Sequence, residues 1–244
     1  MNIDIAAIRQ ALDDQRFTFD VRVKDIDPLL HLTLPDLRLD PGAVFEGRFD
    51  SRTFDVGLTA DLPYISYAGL GSDSVHVILD KTLDVLALSF RSKRQDLSDS
   101  TYITGIDITG KAYQDELELR MAWAGSTNNT SGELDLQGQV LGPDRVTIDM
   151  LPSRLYFGRG VWRNPQVATF LLDSSALHIQ GLELVDGRQK VRVDGALSRD
   201  PAQAIAFELH DFRLENARPF YTGPTAHGSL SGDGRLFDPF GTPY

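Results

Sequence analysis

Apolar and polar side chains alternate with a period of two along most of this chain, and the pattern restarts a dozen or so times. Phe17-Thr-Phe-Asp-Val-Arg-Val23, Phe54-Asp-Val-Gly-Leu-Thr-Ala-Asp-Leu62 and Glu116-Leu-Glu-Leu-Arg-Met121 carry it through the first half. Glu133-Leu-Asp-Leu-Gln137, Arg145-Val-Thr-Ile-Asp-Met150, Lys190-Val-Arg-Val-Asp194 and Ile205-Ala-Phe-Glu-Leu-His210 carry it through the second. Successive side chains on a strand point to opposite faces, so each segment predicts a strand with one apolar face and one wet face.

One segment breaks this period. Ile3, Ile5, Ala6, Ile8, Ala11 and Leu12 form an i, i+3, i+4 stripe without Gly or Pro, which predicts a short N-terminal helix within residues 1–15. A helix of this length is marginal unless it docks, so it is expected to pack on the first strands. A proline-punctuated stretch from Asp27 to Gly42 follows, and proline restricts strand pairing to edges and turns.

From Val44 onward strands succeed one another across turn signals at Gly69-Leu-Gly71, Gly125 to Gly132, Gly142-Pro-Asp144, Asp186-Gly187, Arg199-Asp-Pro201 and Gly223-Pro224. Strand, turn, strand without intervening helices predicts an all-β, antiparallel meander, read as one continuous repetitive segment over 16–244. About thirteen strands at roughly 4.8 Å make a sheet on the order of 60 Å along its hydrogen-bonding direction. Open twisted sheets of that size curl, split or close. A sandwich, a closed barrel, or a single sheet folded lengthwise into a trough would each dry the apolar face. The trough alone leaves its lining available to a ligand.

Composition narrows the partners. Over 244 residues the formal charge is −11, opposite in sign to what a nucleic-acid surface needs. The same negative field disfavours general adsorption to anionic membranes. There is no cysteine, so disulfides and thiolate metal sites are excluded. No run approaches the ~20 apolar residues that cross a bilayer, and Met1-Asn-Ile-Asp-Ile carries no signal-peptide pattern. Phe240-Gly-Thr-Pro-Tyr244 halts without a capping element, as expected of a segment cut from a longer repetitive chain.

Candidate chemistry is sparse. His31, His76, His178, His210 and His227 lie on different segments, without metal-binding spacing, and read as surface or strand-edge residues. Asp96, Asp99 and Asp107 lack the glycine and closing glutamate of a calcium loop. Glu116 and Glu118 share a strand face, but alternation already explains them as solvent-facing. Gly69-Leu-Gly71 and Gly232-Asp-Gly234 precede no helix and make no phosphate cradle. The Asn128 and Asn129 sequons matter only in a secretory route that glycosylates, and Trp123 and Trp162 read as core or rim packing on a pleated surface. The expectation is a protein without catalytic residues, metal or cofactor.

Several segments together resemble the TamB family, within the AsmA-like bridge-forming lipid transfer proteins. Phe19-Asp-Val-Arg-Val-Lys-Asp-Ile-Asp-Pro-Leu-Leu30, then Leu34-Pro-Asp-Leu-Arg-Leu39 and Gly47-Arg-Phe-Asp50, are similar to that family's strand-and-proline entry. Leu151-Pro-Ser153, Val161-Trp162, Val193-Asp-Gly-Ala-Leu-Ser-Arg-Asp-Pro201 and Leu230-Ser-Gly232 are similar to its later succession of turns. The resemblance implies an elongated sheet curled into a U-shaped hydrophobic trough, a β-taco, in the periplasm. The full-length protein would be anchored in the inner membrane by a segment absent here, as befits an internal or C-terminal-region piece. It implies phospholipid acyl chains as the cargo between inner and outer membranes, flanking repeats of the same chain as neighbours, and an outer-membrane barrel assembly protein as a partner in protein secretion and outer-membrane biogenesis.

On that reading the groove lining comprises Phe54, Val56, Leu58, Leu117, Leu119, Leu134, Leu136, Val191, Val193, Ile205, Phe207 and Leu209. The rival reading is a periplasmic or secreted structural or adhesion module, sandwich or solenoid, whose apolar faces pack on each other. An enzyme would need a convergent site that these residues do not display.

Overall fold

The structure, a computed structural model, describes residues 15–26, 30, 33–82, 84–98, 101–126, 130–158, 160–198, 200, 202–220 and 226–237. Eighteen strands run through these residues, and they pair antiparallel wherever their register is described. The expected helix within 1–15, His31, Asp99 and the asparagines of both sequons fall outside the described residues. Backbone contacts divide the chain into two units, 1–114 with 121–127 and 115–120 with 128–244, so the boundary passes through one strand, Glu116–Trp123.

The first unit contains β1 (Arg16–Arg22), β2 (Leu37–Leu39), β3 (Val44–Asp50), β4 (Asp55–Tyr67), β5 (Leu70–Thr82), β6 (Val85–Ser98) and β7 (Thr101–Tyr113). The C-terminal half of β8 (Glu116–Trp123) and β9 (Gly125–Ser126) complete it. From β3 to β7 it is the expected meander. Its start departs from one: β1 pairs with β3, while β2 pairs with the far end of β4, so β2 and β3 lie end to end along one strand. Ala68 and Gly69, at φ of 51° and 85°, close the β4–β5 hairpin between Tyr67 and Leu70. Two successive residues at positive φ match the right-handed twist of the flanking strands, which is why glycine stands there.

Alternation delivers one apolar and one polar face. Across the strands Val21, Phe45, Ala60, Val77, Phe90 and Ile108 stand opposite one another in a row. Phe19, Gly47, Leu58, Leu79, Leu88 and Gly110 form the next, and Phe17, Phe49, Val56, Lys81, Leu86 and Ala112 a third. The opposite face carries Asp20, Glu46, Thr59, Ile78, Ser89 and Thr109. Packing is dense at one strand end only, where Val23, Ala43, Ala60, Leu62 and Val75 are buried and Ile26, Leu39 and Ile65 lean on them. Leu62 and Ile65 share that cluster three residues apart, so the alternation breaks between them. Pro63 and Ser74, at φ 51°, mark the break, and proline has no N–H for the ladder.

The second unit contains β10 (Ser131–Gly142), β11 (Arg145–Met150), β12 (Arg154–Phe157), β13 (Gly160–Arg163) and β14 (Ala168–Leu172). β15 (Ala176–Asp186), β16 (Gln189–Ser198), β17 (Ala204–Arg213), a 3₁₀ turn at Leu214–Phe220 and β18 (Ser229–Phe237) follow. The meander expected here holds from β14 to β18. Before it, β10 pairs with both β11 and β12, β11 with β14, β12 with β13, and β13 and β14 both reach β15. Short strands therefore lie end to end in pairs across the width of the sheet.

Buried Asn164 holds the gap between them. Its Nδ2 donates to the carbonyls of Met150 (3.2 Å), Leu151 (2.8 Å) and Gln166 (3.2 Å), and its Oδ1 accepts from the Ser153 amide at 2.5 Å. Ser153 Oγ in turn donates to the Leu151 carbonyl at 2.7 Å and accepts from the Asp135 amide at 3.1 Å. Backbone groups left by the broken ladder are thus satisfied, as buried polar groups must be.

Candidate functional site

The apolar faces of the two units are the feature to which the sequence points. In the first unit Val56 and Leu58 occupy the rows described above. Phe54 stands apart from them, in the turn before β4 at φ 55°. Its carbonyl accepts from Lys81 Nζ at 3.1 Å, and that ammonium lies 5.7 Å from its ring. Lys81 interrupts the third row, and its long stem reaches back toward this turn so that the charge leaves the apolar strip.

In the second unit the rows are equally continuous. Leu184, Val191, Leu209 and Gly232 are opposite one another, as are Leu182, Val193, Phe207 and Gly234. Gly138, Ile148, Phe170, Ile179, Gly195, Ile205 and Leu236 form a third row, and Leu136, Met150 and Ala168 a fourth. Leu134 shares the Leu136 face by alternation. Leu117 lies against Gly138, where an added Cβ would meet its side chain at 3.4 Å, and Leu119 follows on the same face.

None of the twelve lining residues is fully buried. Leu117 and Phe207 remain 37% and 39% exposed, and the other ten are half-buried. Phe17 (50%), Phe19 (38%), Val21 (47%) and Leu236 (50%) continue the same faces and are as open. A dry sandwich core would bury them. Alternation marked β1 as a strand, yet Phe17, Phe19 and Val21 were not among the expected lining residues. Neither were Leu79, Leu88, Ile148 and Phe170, because cross-strand register is not written in a single segment.

Two glycine–phenylalanine pairs flatten the faces. Phe19 covers Gly47 and Phe207 covers Gly234, each ring occupying the space a Cβ would take. Aromatic side chains laid across glycine in this way protect backbone that glycine alone exposes.

One end of the second face is sealed. Trp162, fully buried, stacks on Phe157 with centroids 4.7 Å apart and meets Phe212 at 5.8 Å. β15 and β16 lie between β13 and β17, so the strands that carry Trp162 and Phe212 would be about 14 Å apart in a flat sheet. The two rings thus reach toward each other across β15 and β16. Gln189 ties the 3₁₀ turn to the same place, accepting from the Arg213 amide at 2.9 Å and from Asn216 Nδ2 at 2.8 Å.

The polar faces are laced with solvent-exposed ion pairs. Arg48–Asp80 (2.7 Å), Arg91–Asp107 (3.1 Å) and Arg94–Asp96 (2.9 Å) belong to the first unit. Lys190–Glu183 (3.4 Å) and Arg192–Asp194 (2.9 Å) belong to the second. Exposed pairs of this kind contribute at most about 1 kcal/mol each. Each described histidine is near an acid: His76 with Asp61 (2.6 Å), His178 with Asp173 (3.6 Å), His210 with Asp211 (3.8 Å) and His227 with Glu215 (3.1 Å). Among the described residues no three histidine or acidic side chains come together as a metal site. Comparison with protein families, with curated proteins and with solved structures found no match to this chain.

Proposed function

We propose that the apolar faces shelter phospholipid acyl chains, and that the chain is a segment of a cell-envelope bridge carrying lipid between inner and outer membranes. One observation supports this reading above others: cross-strand rows made mainly of aliphatic and aromatic residues remain half-exposed over most of their positions in both units. Contiguous exposed apolar surface of this kind marks an interaction site.

Magnitudes fit the cargo. An acyl chain left in water costs about 0.8 kcal/mol per CH₂, roughly 12 kcal/mol for sixteen carbons. A six-strand row spans about 24 Å, against about 15 Å of hydrocarbon in one bilayer leaflet. A whole chain can therefore lie along a row, and a nonspecific aliphatic lining needs no reactive group. The U-shaped trough, the periplasmic setting, the inner-membrane anchor and the outer-membrane assembly partner belong to the same proposal through the family resemblance.

Lipid co-purifying with the chain, measured by mass spectrometry, tests the reading. Replacing Leu58, Leu79 and Leu88 by aspartate is expected to abolish bound lipid while circular dichroism stays that of a β protein. The same load at Thr59, Ile78 and Ser89, on the polar face, should leave it unchanged. A lipid-free parent protein that also fails to bind a naphthalene sulfonate dye overturns the proposal in favour of a packed structural module.

A further inference from the structure

The outermost strands of the two units are mutually complementary. Among the described residues β1 pairs with β3 alone and β18 with β17 alone, so each leaves one edge open. Both are exposed along almost their whole length. An open edge is a template for another strand.

Backbone hydrogen bonds show which residues turn outward. Gln15 O accepts from the Ser51 amide at 2.9 Å and Val23 N donates to Ala43 O at 2.8 Å, so odd-numbered residues of β1 face β3. The outward donors and acceptors of β1 are those of Arg16, Thr18, Asp20 and Arg22. Gly228 O accepts from the Leu214 amide at 2.9 Å, which turns the even-numbered residues of β18 inward and Ser231, Asp233, Arg235 and Phe237 outward.

In both strands the outward backbone belongs to the polar-face residues. For L-residues, strand direction, side-chain face and hydrogen-bond direction are linked. Only an antiparallel union of these edges therefore keeps both apolar faces on one side.

Charge selects the register. With Asp20 opposite Arg235, Arg22 stands opposite Asp233, Phe19 opposite Leu236 and Val21 opposite Gly234. A slip of two residues either way sets Asp20 against Asp233 or Arg22 against Arg235. Each edge also holds a like-charge opposition within its own unit, Asp20 against Glu46 and Asp233 against Glu208, with Arg22 Nε 3.7 Å from Asp20 on the first. The arginine of the other edge adds a cation directly opposite the acid in each case.

We propose that β18 of one copy pairs antiparallel with β1 of a second copy, in the register Asp20–Arg235 and Arg22–Asp233. The union joins their apolar faces edge to edge. It is heterologous, so it propagates instead of stopping at a dimer.

Sedimentation velocity of the 244-residue chain over a wide concentration range tests this, and it reads mass independently of whether lipid binds. Species larger than a dimer are expected to grow with concentration. D20R should weaken association roughly fivefold to tenfold, and the double reversal D20R/R235D should restore it. D20R exchanges the exposed Arg22–Asp20 pair, 3.7 Å apart, for an arginine opposite Glu46, so its fold should be about as stable as the parent's, and a denaturation midpoint near the parent's separates weaker association from unfolding. A monomer at every concentration overturns the proposal, the edge charges then serving only to repel strands. So does D20R associating like the parent, or a double variant that fails to recover. Charge-dependent stability without concentration dependence overturns it in favour of pairing within one chain.

Discussion

Single residues in these sheets act mostly through the backbone positions they permit. Gly195 lies in an apolar row at φ 118°, and a Cβ there would approach the Ala204 carbonyl oxygen to 2.2 Å. Gly195→Ala is expected to cost at least about 2 kcal/mol through strain and clash, read as a lower urea midpoint. Gly232 sits in a neighbouring row with nothing within 4 Å of such a Cβ, so Gly232→Ala should stay within about 0.5 kcal/mol of the parent.

Asp173 works through charge. Its carboxylate accepts from the Ser175 hydroxyl (2.7 Å), the Ser175 amide (2.8 Å) and the Ala176 amide (2.9 Å), with His178 nearby. These bonds, the Ser175 hydroxyl first, lower its pKa from 3.8 to about 2. A depressed carboxyl stabilises fully above its unfolded pKa and loses that contribution as pH falls through the folded one. Stability attributable to the turn before β15 should therefore fade between about pH 4 and pH 2. Acid titration of the unfolding midpoint should be flatter for Asp173→Asn, and an unchanged slope would count against the assignment.

At the scale of elements, the break between end-to-end strands is the vulnerable place. β11 and β12 share one partner, β10, and the chain between them must leave the ladder without orphaning its carbonyls. Asn164 spends both amide hydrogens there, shared among three carbonyls, and its Oδ1 accepts from the Ser153 amide. Asn164→Ala is expected to lower stability by about 3 kcal/mol, because the Met150 and Gln166 carbonyls and the Ser153 amide each lose a buried partner. Equilibrium denaturation checks the size, and a cost under about 1 kcal/mol would show that the gap is held elsewhere. Leu151-Pro-Ser153 announced a turn in the sequence, but nothing local announced that Asn164, eleven residues on, would close it.

For the whole molecule, the division into two units, each with a rowed and half-open apolar face, is the property that matters for function. Each face has one packed margin: Val23, Leu62 and Val75 in the first unit, and Trp162, Phe157 and Phe212 in the second. Met150 and Ala168 in the fourth row of the second unit are buried as well, and most other row positions stay accessible, which supports an acyl-chain reading over a packed sandwich. Dye binding should follow the same logic. A naphthalene sulfonate is expected to fluoresce with the native parent and to lose that signal when Leu58, Leu79 and Leu88 become aspartate. Equal fluorescence in both would place the dye site off the rows.

Alternation in the sequence by itself determined the strand-rich class, the turns at Gly69, Gly142 and Gly187, and which side of most strands is greasy. It could do so because the period of two is a local consequence of strand geometry. It also separated Val56, Leu58, Val191, Val193, Phe207 and Leu209 from their polar neighbours, which is why those six stand in the rows. Phe54 obeyed the same spacing and left the row, since a positive φ in the preceding turn redirects a side chain without changing the pattern. Pairing order was decided only in three dimensions: β1 with β3, β10 with both β11 and β12, β13 and β14 with β15. Those choices depend on hydrogen bonds between residues far apart in the chain, and on buried groups such as Asn164 and Trp162 whose partners no short segment specifies. The sequence thus determined that a long apolar surface exists. Tertiary structure decided that the surface is gathered into rows and left half-open, because burial is a property of what packs opposite a face.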